Sequence, residues 1–283
     1  MDSRTTGSVF RSYLRLFRLG NCAMGAVGTL LAVVVCVGLE EISEYAAQTV
    51  LSMVVVFLFT AGGNSLNDYY DRETDKRAHP ERPIPSGRLT PHEVMYASVA
   101  LFTMALIVSV AVTLVSIAIV ATSIIVMLVY EMRLKAEGLA GNLAISWLTG
   151  ALFLFGGAAA DSLGLAWILA ALAFLATLGR EIAKDIQDIE GDRSSRRTLP
   201  MRIGERGAGF AAATSFAAAV ALSPLPYLQG LLSEWYVPAV AVADGMFIYC
   251  ALILFKRPEM GQKMAKLAMA VALVAFLLGG VLS

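Results

Sequence analysis

Long apolar stretches alternate with short charged stretches along almost the whole chain. About 20 consecutive apolar residues cross the hydrocarbon core of a bilayer as a helix, so each stretch predicts one transmembrane helix. The chain then has nine spans, with predicted limits 17–38, 46–66, 93–111, 113–130, 139–160, 163–183, 206–225, 233–255 and 264–282. The division of residues 93–130 is the least clear, because that run is too long for one crossing and contains no Gly or Pro to mark a turn.

The charges between these stretches predict how the chain crosses the membrane. With nine spans, all 22 Lys and Arg residues fall on one side. The charged residues of the loops on the other side are all acidic: Glu40, Glu41, Glu44, Asp161 and Glu234. Positive residues are enriched in cytoplasmic loops. We therefore expect a multi-pass protein of the cell membrane with a cytoplasmic N-terminus and an external C-terminus. The first span lacks a convincing cleavage site and is predicted to be retained, with an amphipathic segment before it.

Composition agrees with this class and excludes several others. The chain is 58% hydrophobic and 16% charged, with a mean hydropathy of +0.70. Its net charge is zero, which gives no indication of a nucleic-acid partner, and no obligate protein partner is evident. Cys22, Cys36 and Cys250 lie in apolar stretches without paired spacing, which argues against disulfides and a zinc site. His79 and His92 lie in a polar loop and do not suggest a metal site.

Small and acidic residues inside the apolar stretches call for separate explanations. Glycine pairs such as Gly62–Gly63 and Gly156–Gly157 predict close helix packing rather than phosphate binding. Asp244 lies within the eighth predicted span, where an acid is costly and usually functional. The sequence assigns Asp244 no role.

One acidic pattern occurs twice. Residues 64–75 read NSLNDYYDRETD and residues 180–192 read REIAKDIQDIEGD. The two runs place acids with identical spacing, 117 positions apart, at Asp68, Asp71 and Asp75 and at Asp185, Asp188 and Asp192. On a helix, offsets of three and four residues put the three carboxylates of a run on one face. We interpret the chain as one domain, 1–283, with an internal pseudo-repeat.

The position of the runs indicates metal binding. A solvated acidic helix end is the ordinary interpretation of a single run, but two matched runs, each at the end of a span, favour ligation of a hard cation. Four spans separate the runs, so both are predicted on the cytoplasmic side. Each leads into a basic loop, KRAHPERPIPSGRLTP or RSSRRTLPMRIG. The sequence thus predicts an all-α, polytopic membrane protein with about nine transmembrane helices around a central cavity capped by cytoplasmic loops.

Carboxylates and basic side chains around one apolar cavity suggest a particular chemistry. Mg²⁺ takes one or two carboxylates and completes its shell with phosphate oxygens and water. The expected ligand is therefore a diphosphate on a lipid tail. Cations stabilise the leaving diphosphate, an allylic carbon becomes cationic, and apolar walls keep water away. Attack by an acceptor at that carbon is prenyl transfer.

At these motifs the chain resembles the UbiA superfamily of intramembrane prenyltransferases. The N-x-x-N-D-x-x-D-x-x-x-D at 64–75 matches the first motif of the superfamily, and residues 185–192 match its second. Tyr130 and Lys135 resemble its Tyr/Lys pair after the fourth span, and residues 18–21 resemble the polar entry of its first span. The loop RPIPSGRLTP and the second motif are most similar to the archaeal ether-lipid branch. That resemblance implies geranylgeranyl transfer from the diphosphate to the hydroxyl of geranylgeranylglyceryl phosphate, with Mg²⁺ as cofactor.

The resemblance also implies roles for individual residues. Catalytic roles fall to Asp68, Asp71, Asp188, Lys135 and Tyr130. Metal ligands would be Asn64, Asn67, Asp68, Asp71, Asp75, Asp185, Asp188 and Asp192. Diphosphate contacts would come from Arg72, Lys135, Lys184 and Tyr130. Contacts to the acceptor phosphate would come from Arg82, Arg88, Arg196 and Arg197. The expected partners are a prenyl diphosphate donor, a lipid-like acceptor and membrane lipids.

Three alternatives remain open on the sequence. One is a related prenyltransferase with an aromatic or chlorophyll-like acceptor, since RPIPSG also occurs in chlorophyll synthase-like members. Another is a phosphatidyltransferase, although Arg72 after Asp71 and Ile189 after Asp188 depart from the pattern of that family. The third is a transporter, although transporters place charges near the midplane and these acids lie at span ends.

Overall fold

A computed structural model describes residues 6–192 and 196–282 of the chain. Over these residues it is helical, with turns and loops between the helices and no strand. The helices are α1 Thr6–Phe17, α2 Leu19–Glu41, α3 Ala46–Tyr70, α4 Arg72–Ala78, α5 Pro91–Ser109, α6 Leu114–Met132, α7 Leu139–Ala159, α8 Leu163–Gln187, α9 Ile189–Asp192, α10 Leu199–Leu222, α11 Leu225–Leu228, α12 Tyr236–Ile253 and α13 Pro258–Val281. A 3₁₀ turn, Leu134–Ala136, follows α6.

Nine helices within the described ranges are long and apolar enough to cross a membrane. The protein is therefore a multi-pass membrane protein, as the hydropathy pattern predicted. The uncertain run 93–130 divides into α5 and α6, with the break at residues 110–113. Thr90 and Glu93 form a reciprocal capping box at the start of α5, and the Thr113 hydroxyl accepts a hydrogen bond from the Ser116 N–H at the start of α6. These caps satisfy amide groups that the first turn of a helix leaves unpaired.

Helix α10 begins earlier than the seventh predicted span. Its first turn is separated from the rest by Gly204, whose φ of 78° lies in the left-handed region. The predicted span began at residue 206, directly after this interruption. The physical reason for the longer helix is Pro200 in its first turn, where the missing N–H of proline has no cost.

The chain divides into two compact units. The first unit contains residues up to Leu30 together with Ala47–Met132. In this unit, α1 packs through Leu16 against Leu89 and Val94, at the start of α5. Amphipathic α1 thus lies beside the loop that follows α4.

Helix α3 passes very close to its neighbours in the first unit. A Cβ atom on Gly62 would lie 3.0 Å from the ring of Phe102 on α5, and one on Gly63 would lie 2.6 Å from the Cε atom of Met127 on α6. The Ser98 hydroxyl donates to the Gly62 carbonyl at 2.9 Å. These contacts agree with the predicted packing role of the first glycine pair.

The second unit contains Leu31–Ala46 and the residues from Arg133 onward. Helices α8, α10, α12 and α13 share an apolar core that includes Ile182, Phe216 and Phe247. Helices α7 and α8 approach so closely that a Cβ atom on Gly157 would lie 2.1 Å from the Cβ of Ala166. The unit is thus a packed helical bundle in which α8 is central, and α8 carries the second aspartate run.

Candidate functional site

The first aspartate run crosses the junction between α3 and α4. Asp68 lies in the last turns of α3, Asp71 is the residue between the helices, and Asp75 lies in α4. The helical hydrogen bonds continue through the junction, from the Asp71 N–H to the Asn67 carbonyl at 2.9 Å and from the Asp75 N–H to the Asp71 carbonyl at 2.8 Å. Asp68 and Asp75 are buried, two turns apart, and Asp71 between them is half-buried. The three carboxylates therefore share a face, as the spacing predicted.

Two arginines neutralise the buried carboxylates of this run. Arg82 Nη1 lies 2.6 Å from Asp75 Oδ2 and 3.6 Å from Asp68 Oδ1. The Arg18 guanidinium donates to the same Oδ1 of Asp68. Buried carboxylates are strongly disfavoured unless they are paired, so these contacts stabilise the run. Arg82, which is predicted to contact an acceptor phosphate, lies against the first run.

Both asparagines of the first motif donate hydrogen bonds through their side-chain nitrogens to partners in the first unit. Asn64 Nδ2 donates to the Phe17 carbonyl at 2.9 Å, which ties α3 to the end of α1. Asn67 Nδ2 donates to Oε1 of Glu131 at 3.0 Å. Glu131 is a buried acid in the last turn of α6 that sequence reasoning did not single out. In each amide the oxygen remains as the acceptor.

The second aspartate run lies at the end of α8. Asp185 is buried and accepts a hydrogen bond from Nδ2 of buried Asn142, on α7, at 2.8 Å. Asp188 is half-buried at the C-terminus of α8, where its N–H donates to the Lys184 carbonyl at 2.9 Å. Asp192 ends α9, but its side chain lies outside the part of the chain that is described. The acid at the centre of each run therefore occupies the end of a long helix.

Of the residues predicted to contact the diphosphate, Arg72 lies within the first run and Lys184 within the second. The Arg72 guanidinium stacks on the Tyr69 ring, with 4.6 Å between Cζ and the ring centroid, and also donates to the Tyr69 carbonyl. Lys184 Nζ lies 3.8 Å from Oε2 of Glu181. Tyr130 is half-buried in the last turn of α6, and Lys135 is half-buried in the 3₁₀ turn that follows.

Other charged residues near the first run have local partners. Arg88 donates through Nε to the Ser86 hydroxyl at 2.8 Å and through Nη2 to the Glu81 carbonyl, so it shapes its own loop. Exposed Glu73 pairs with Lys76 at 2.7 Å. The hydrogen bond from Lys76 holds the pKa of the Glu73 carboxyl below its ordinary value. Glu73, which lies between Asp71 and Asp75 in the sequence, thus forms an ordinary surface ion pair with Lys76.

The turn that carries Lys135 packs against the segment after the second run. The Arg197 N–H donates to the Ala136 carbonyl at 2.9 Å. Gly138 lies against the same segment, because a Cβ atom on it would be 2.7 Å from the Arg197 carbonyl oxygen. The exposed pair Arg202–Glu137 adds a contact of 2.9 Å. Lys135 is therefore positioned by the loop that contains Arg196, which is half-buried, and Arg197, which is exposed.

The second unit also contains a cavity of about 530 Å³. Its walls come from α7, α8, α10, α12 and α13, and they are apolar except for Thr149, Ser223 and Asp244. On α7 the cavity begins at Ile145, about one turn beyond Asn142, and extends to Phe153. Asp244, to which the sequence assigned no role, accepts a hydrogen bond from the Ser223 hydroxyl at 2.6 Å.

The donor set of the runs is compatible with Mg²⁺. It consists of carboxylate and amide oxygens, the hard ligands that this ion prefers. No three His, Cys, Asp or Glu side chains of the described residues are grouped so as to hold a metal ion by themselves. Such a cage is not required, because Mg²⁺ usually takes one or two carboxylates and obtains its remaining ligands from phosphate and water. The residues therefore fit an ion that a bound diphosphate completes.

Comparison with known proteins identifies the family. The UbiA prenyltransferase family profile matches residues 24–279. The chain belongs to the UbiA prenyltransferase family. The digeranylgeranylglyceryl phosphate synthase of Methanococcoides burtonii is 39% identical over 279 residues, covering 95% of this chain and 99% of that protein. The protein is accordingly a prenyltransferase.

Solved structures agree with the UbiA fold. The structure of a digeranylgeranylglyceryl phosphate synthase superposes with a TM-score of 0.90 at 31% identity, covering 97% of this chain and 99% of that one. A UbiA homologue from Archaeoglobus fulgidus bound to GPP and Mg²⁺ has a TM-score of 0.64 at 17% identity, covering 94% and 99%. The second likeness concerns the fold alone.

Several residues that contact the predicted ligands were not found from the sequence. Glu131 contacts the predicted metal ligand Asn67, and Asn142 contacts the predicted metal ligand Asp185. Neither Glu131 nor Asn142 belongs to a motif. A polar residue in an otherwise apolar helix is the only signal that pointed to either one. Arg18 was noted within a resemblance to the first span but was not predicted to pair with Asp68.

Proposed function

We propose that this prenyltransferase transfers a geranylgeranyl group from geranylgeranyl diphosphate to the free hydroxyl of geranylgeranylglyceryl phosphate, a step of archaeal ether-lipid synthesis. The similarity to the Methanococcoides burtonii synthase over nearly the whole of both chains carries this choice of acceptor. In the reaction the allylic C–O bond of the donor breaks, and diphosphate leaves with the electron pair. The acceptor oxygen bonds to the allylic carbon and loses its proton.

The two aspartate runs are proposed to hold Mg²⁺ on the diphosphate. When bound, Mg²⁺ neutralises charge that develops on the leaving group. The first run offers Asn64, Asn67, Asp68, Asp71 and Asp75, and the second offers Asp185, Asp188 and Asp192. Lys135, Arg72, Lys184 and Tyr130 are proposed to contact the phosphate oxygens. The UbiA homologue from Archaeoglobus fulgidus was solved with GPP and Mg²⁺, which supports the use of a divalent cation with a prenyl diphosphate.

The cavity of the second unit is proposed to hold an isoprenoid chain. Its volume of about 530 Å³ lies within the range of small-molecule sites, and its walls are almost entirely apolar. It begins about one helical turn from Asn142, the partner of Asp185. Apolar walls exclude water, which would otherwise react with a cationic allylic carbon. Such an electrophile needs little help from a base, so we propose no dedicated proton acceptor.

The metal assignment is tested at the middle acid of each run. We expect Asp71→Ala and Asp188→Ala to abolish turnover without unfolding the protein, because removal of one of several neighbouring carboxylates also relieves repulsion. Glu73→Gln and Glu190→Gln are matched controls: both residues are exposed and lie within the same runs. Turnover should also stop with EDTA and return with Mg²⁺. Full turnover in EDTA, or near-normal activity of either alanine variant, would contradict the assignment.

The acceptor is tested by incubating the purified protein with radiolabelled geranylgeranyl diphosphate and a panel of acceptors. We expect the labelled lipid product with geranylgeranylglyceryl phosphate and little with aromatic acceptors. Exposed Arg197 is proposed to contact the acceptor phosphate, because Arg suits bidentate phosphate binding. Arg197→Gln should therefore raise the KM for the acceptor more than that for the donor. Faster turnover of a phosphate-free aromatic acceptor would refute the ether-lipid assignment, and only the membership of the UbiA family would stand.

A further inference from the structure

Glu131 is a buried acid that no motif accounts for. It lies in the last turn of α6, and only 6% of its surface is exposed. Its Oε1 accepts a hydrogen bond from Nδ2 of Asn67 at 3.0 Å, across 64 residues of sequence. A buried carboxylate is costly to maintain unless it is hydrogen-bonded. The contact links α6 to the first aspartate run within the first unit.

This contact decides which way the Asn67 amide points. Oε1 of Glu131 accepts the hydrogen bond, so it faces the NH₂ group of the amide and not the amide oxygen. The side-chain oxygen, Oδ1, is then turned away from Glu131. Asp71 lies one helical turn further along the same face, and its N–H donates to the backbone carbonyl of Asn67. Glu131 thus sets the orientation of an amide that lies one helical turn before the central acid of the run.

We propose that Glu131 is a positioning residue: by holding Nδ2 of Asn67, it presents Oδ1 of that amide, next to Asp71, to a divalent cation. This inference rests on the proposed role of the first run in binding metal. It follows a general property of metal sites, in which partners behind the ligands orient them, and loss of such a partner lowers metal affinity or activity by about 10- to 100-fold.

Substitutions at position 131 separate orientation from mere packing. The variant Glu131→Leu keeps a side chain of similar size and loses the hydrogen bond. Glu131→Gln keeps the shape, but a neutral amide bonds more weakly and can face Asn67 with either end. We expect Mn²⁺ affinity to fall about 10- to 100-fold in Glu131→Leu and by a smaller factor in Glu131→Gln. Glu73→Gln, an exposed acid of the same run, should bind Mn²⁺ like the parent protein.

Exchange of the two partners gives the sharpest test. Asn67→Asp alone sets two carboxylates against each other and should weaken Mn²⁺ binding. In the double variant Asn67→Asp/Glu131→Gln, the glutamine NH₂ can donate to one aspartate oxygen and leave the other turned towards the cation. We expect the double variant to bind Mn²⁺ more tightly than Asn67→Asp. If Glu131→Leu does not fold, this exchange and Glu131→Gln decide the question.

The measurement is a paramagnetic resonance titration of Mn²⁺ against the detergent-purified full chain, with thermal unfolding recorded in parallel. Parent-like Mn²⁺ affinity in both position-131 variants overturns the inference, even where the unfolding temperature falls. A double variant no better than Asn67→Asp, or a parent protein that binds no Mn²⁺, also overturns it. Product formation by the parent is scored separately, so failure of the proposed reaction remains distinguishable from failure of this role.

Discussion

Arg82 shows how one side chain can change the interpretation of a loop. It is predicted to contact an acceptor phosphate, and in the structure its guanidinium lies between the buried carboxylates of Asp68 and Asp75. About a quarter of its side chain is exposed, so screening by water is incomplete. Its first effect is therefore to compensate charge within the first run.

The prediction for Arg82 concerns both stability and kinetics. Arg82→Gln leaves buried Asp75 without its arginine, while Asp68 keeps Arg18, and should lower the free energy of unfolding by roughly 1–3 kcal/mol. Turnover should fall while the KM for the acceptor stays unchanged. Thermal unfolding and steady-state kinetics measure these effects, with Arg77→Gln as the control because Arg77 is an exposed arginine on α4. A raised acceptor KM with unchanged stability would instead support a phosphate contact.

Asn142 has a corresponding role in the second unit. Its Nδ2 holds Oδ2 of Asp185, and both side chains are buried. Asn142→Leu should therefore raise the Mg²⁺ concentration needed for half-maximal turnover by about 10-fold or more. Ser146→Ala is a suitable control, since it removes a buried hydroxyl that donates to the backbone carbonyl of Asn142, at 2.7 Å, and leaves the Asn142 side chain in place. An unchanged Mg²⁺ requirement in Asn142→Leu would show that the contact serves packing alone.

At the scale of elements, the contact between the 3₁₀ turn and the start of α10 positions Lys135. Gly138 has a φ of 55° and lies against the backbone of residues 197–199. A side chain at this position meets both an unfavourable backbone conformation and a steric clash. The distance from Lys135 to the segment at 196–197 is thus set by a residue that cannot carry a Cβ atom without movement of the backbone.

Gly138→Ala should lower the free energy of unfolding by more than about 1 kcal/mol and also reduce turnover, because it separates the turn from that segment. Gly87→Ala is the matched control. Gly87 also has a positive φ, 72°, but a Cβ atom on it would meet nothing within 4 Å. The difference between the two variants in unfolding temperature and activity measures the clash alone. Equal effects of Gly138→Ala and Gly87→Ala would show that the contact of Gly138 with residues 197–199 does not contribute to stability or turnover.

Sequence predicted the elements well because the bilayer restricts them. A fixed thickness sets the length of each span and excludes charges from its middle, so hydropathy located α5, α6 and the span after Gly204 within a few residues. The runs were found because their spacing is local. The partners Glu131 and Asn142 were not, since each contact joins residues 43 or more positions apart on separate helices. Only packing of the helices brings such pairs together.

At the scale of the whole molecule, the charge distribution predicts which side of the membrane each loop faces. All 22 basic residues lie on one side when nine spans are counted, and the helices described between residues 6 and 282 include nine that can span. A different number of spans would have scattered the basic residues over both sides. The predicted orientation places both aspartate runs on the cytoplasmic side.

The orientation can be tested with single cysteines in a background without Cys22, Cys36 and Cys250. Asp161→Cys and Glu234→Cys lie in exposed turns of the predicted outer side, and Lys256→Cys and Glu205→Cys in exposed positions of the inner side. A membrane-impermeant maleimide should label the first two in intact cells and the last two only after the membrane is opened. The charge pattern is the physical reason, since Lys and Arg resist translocation whereas Asp and Glu contribute little. Labelling of position 256 in intact cells would show that the orientation is opposite to the predicted one and that both aspartate runs face outside.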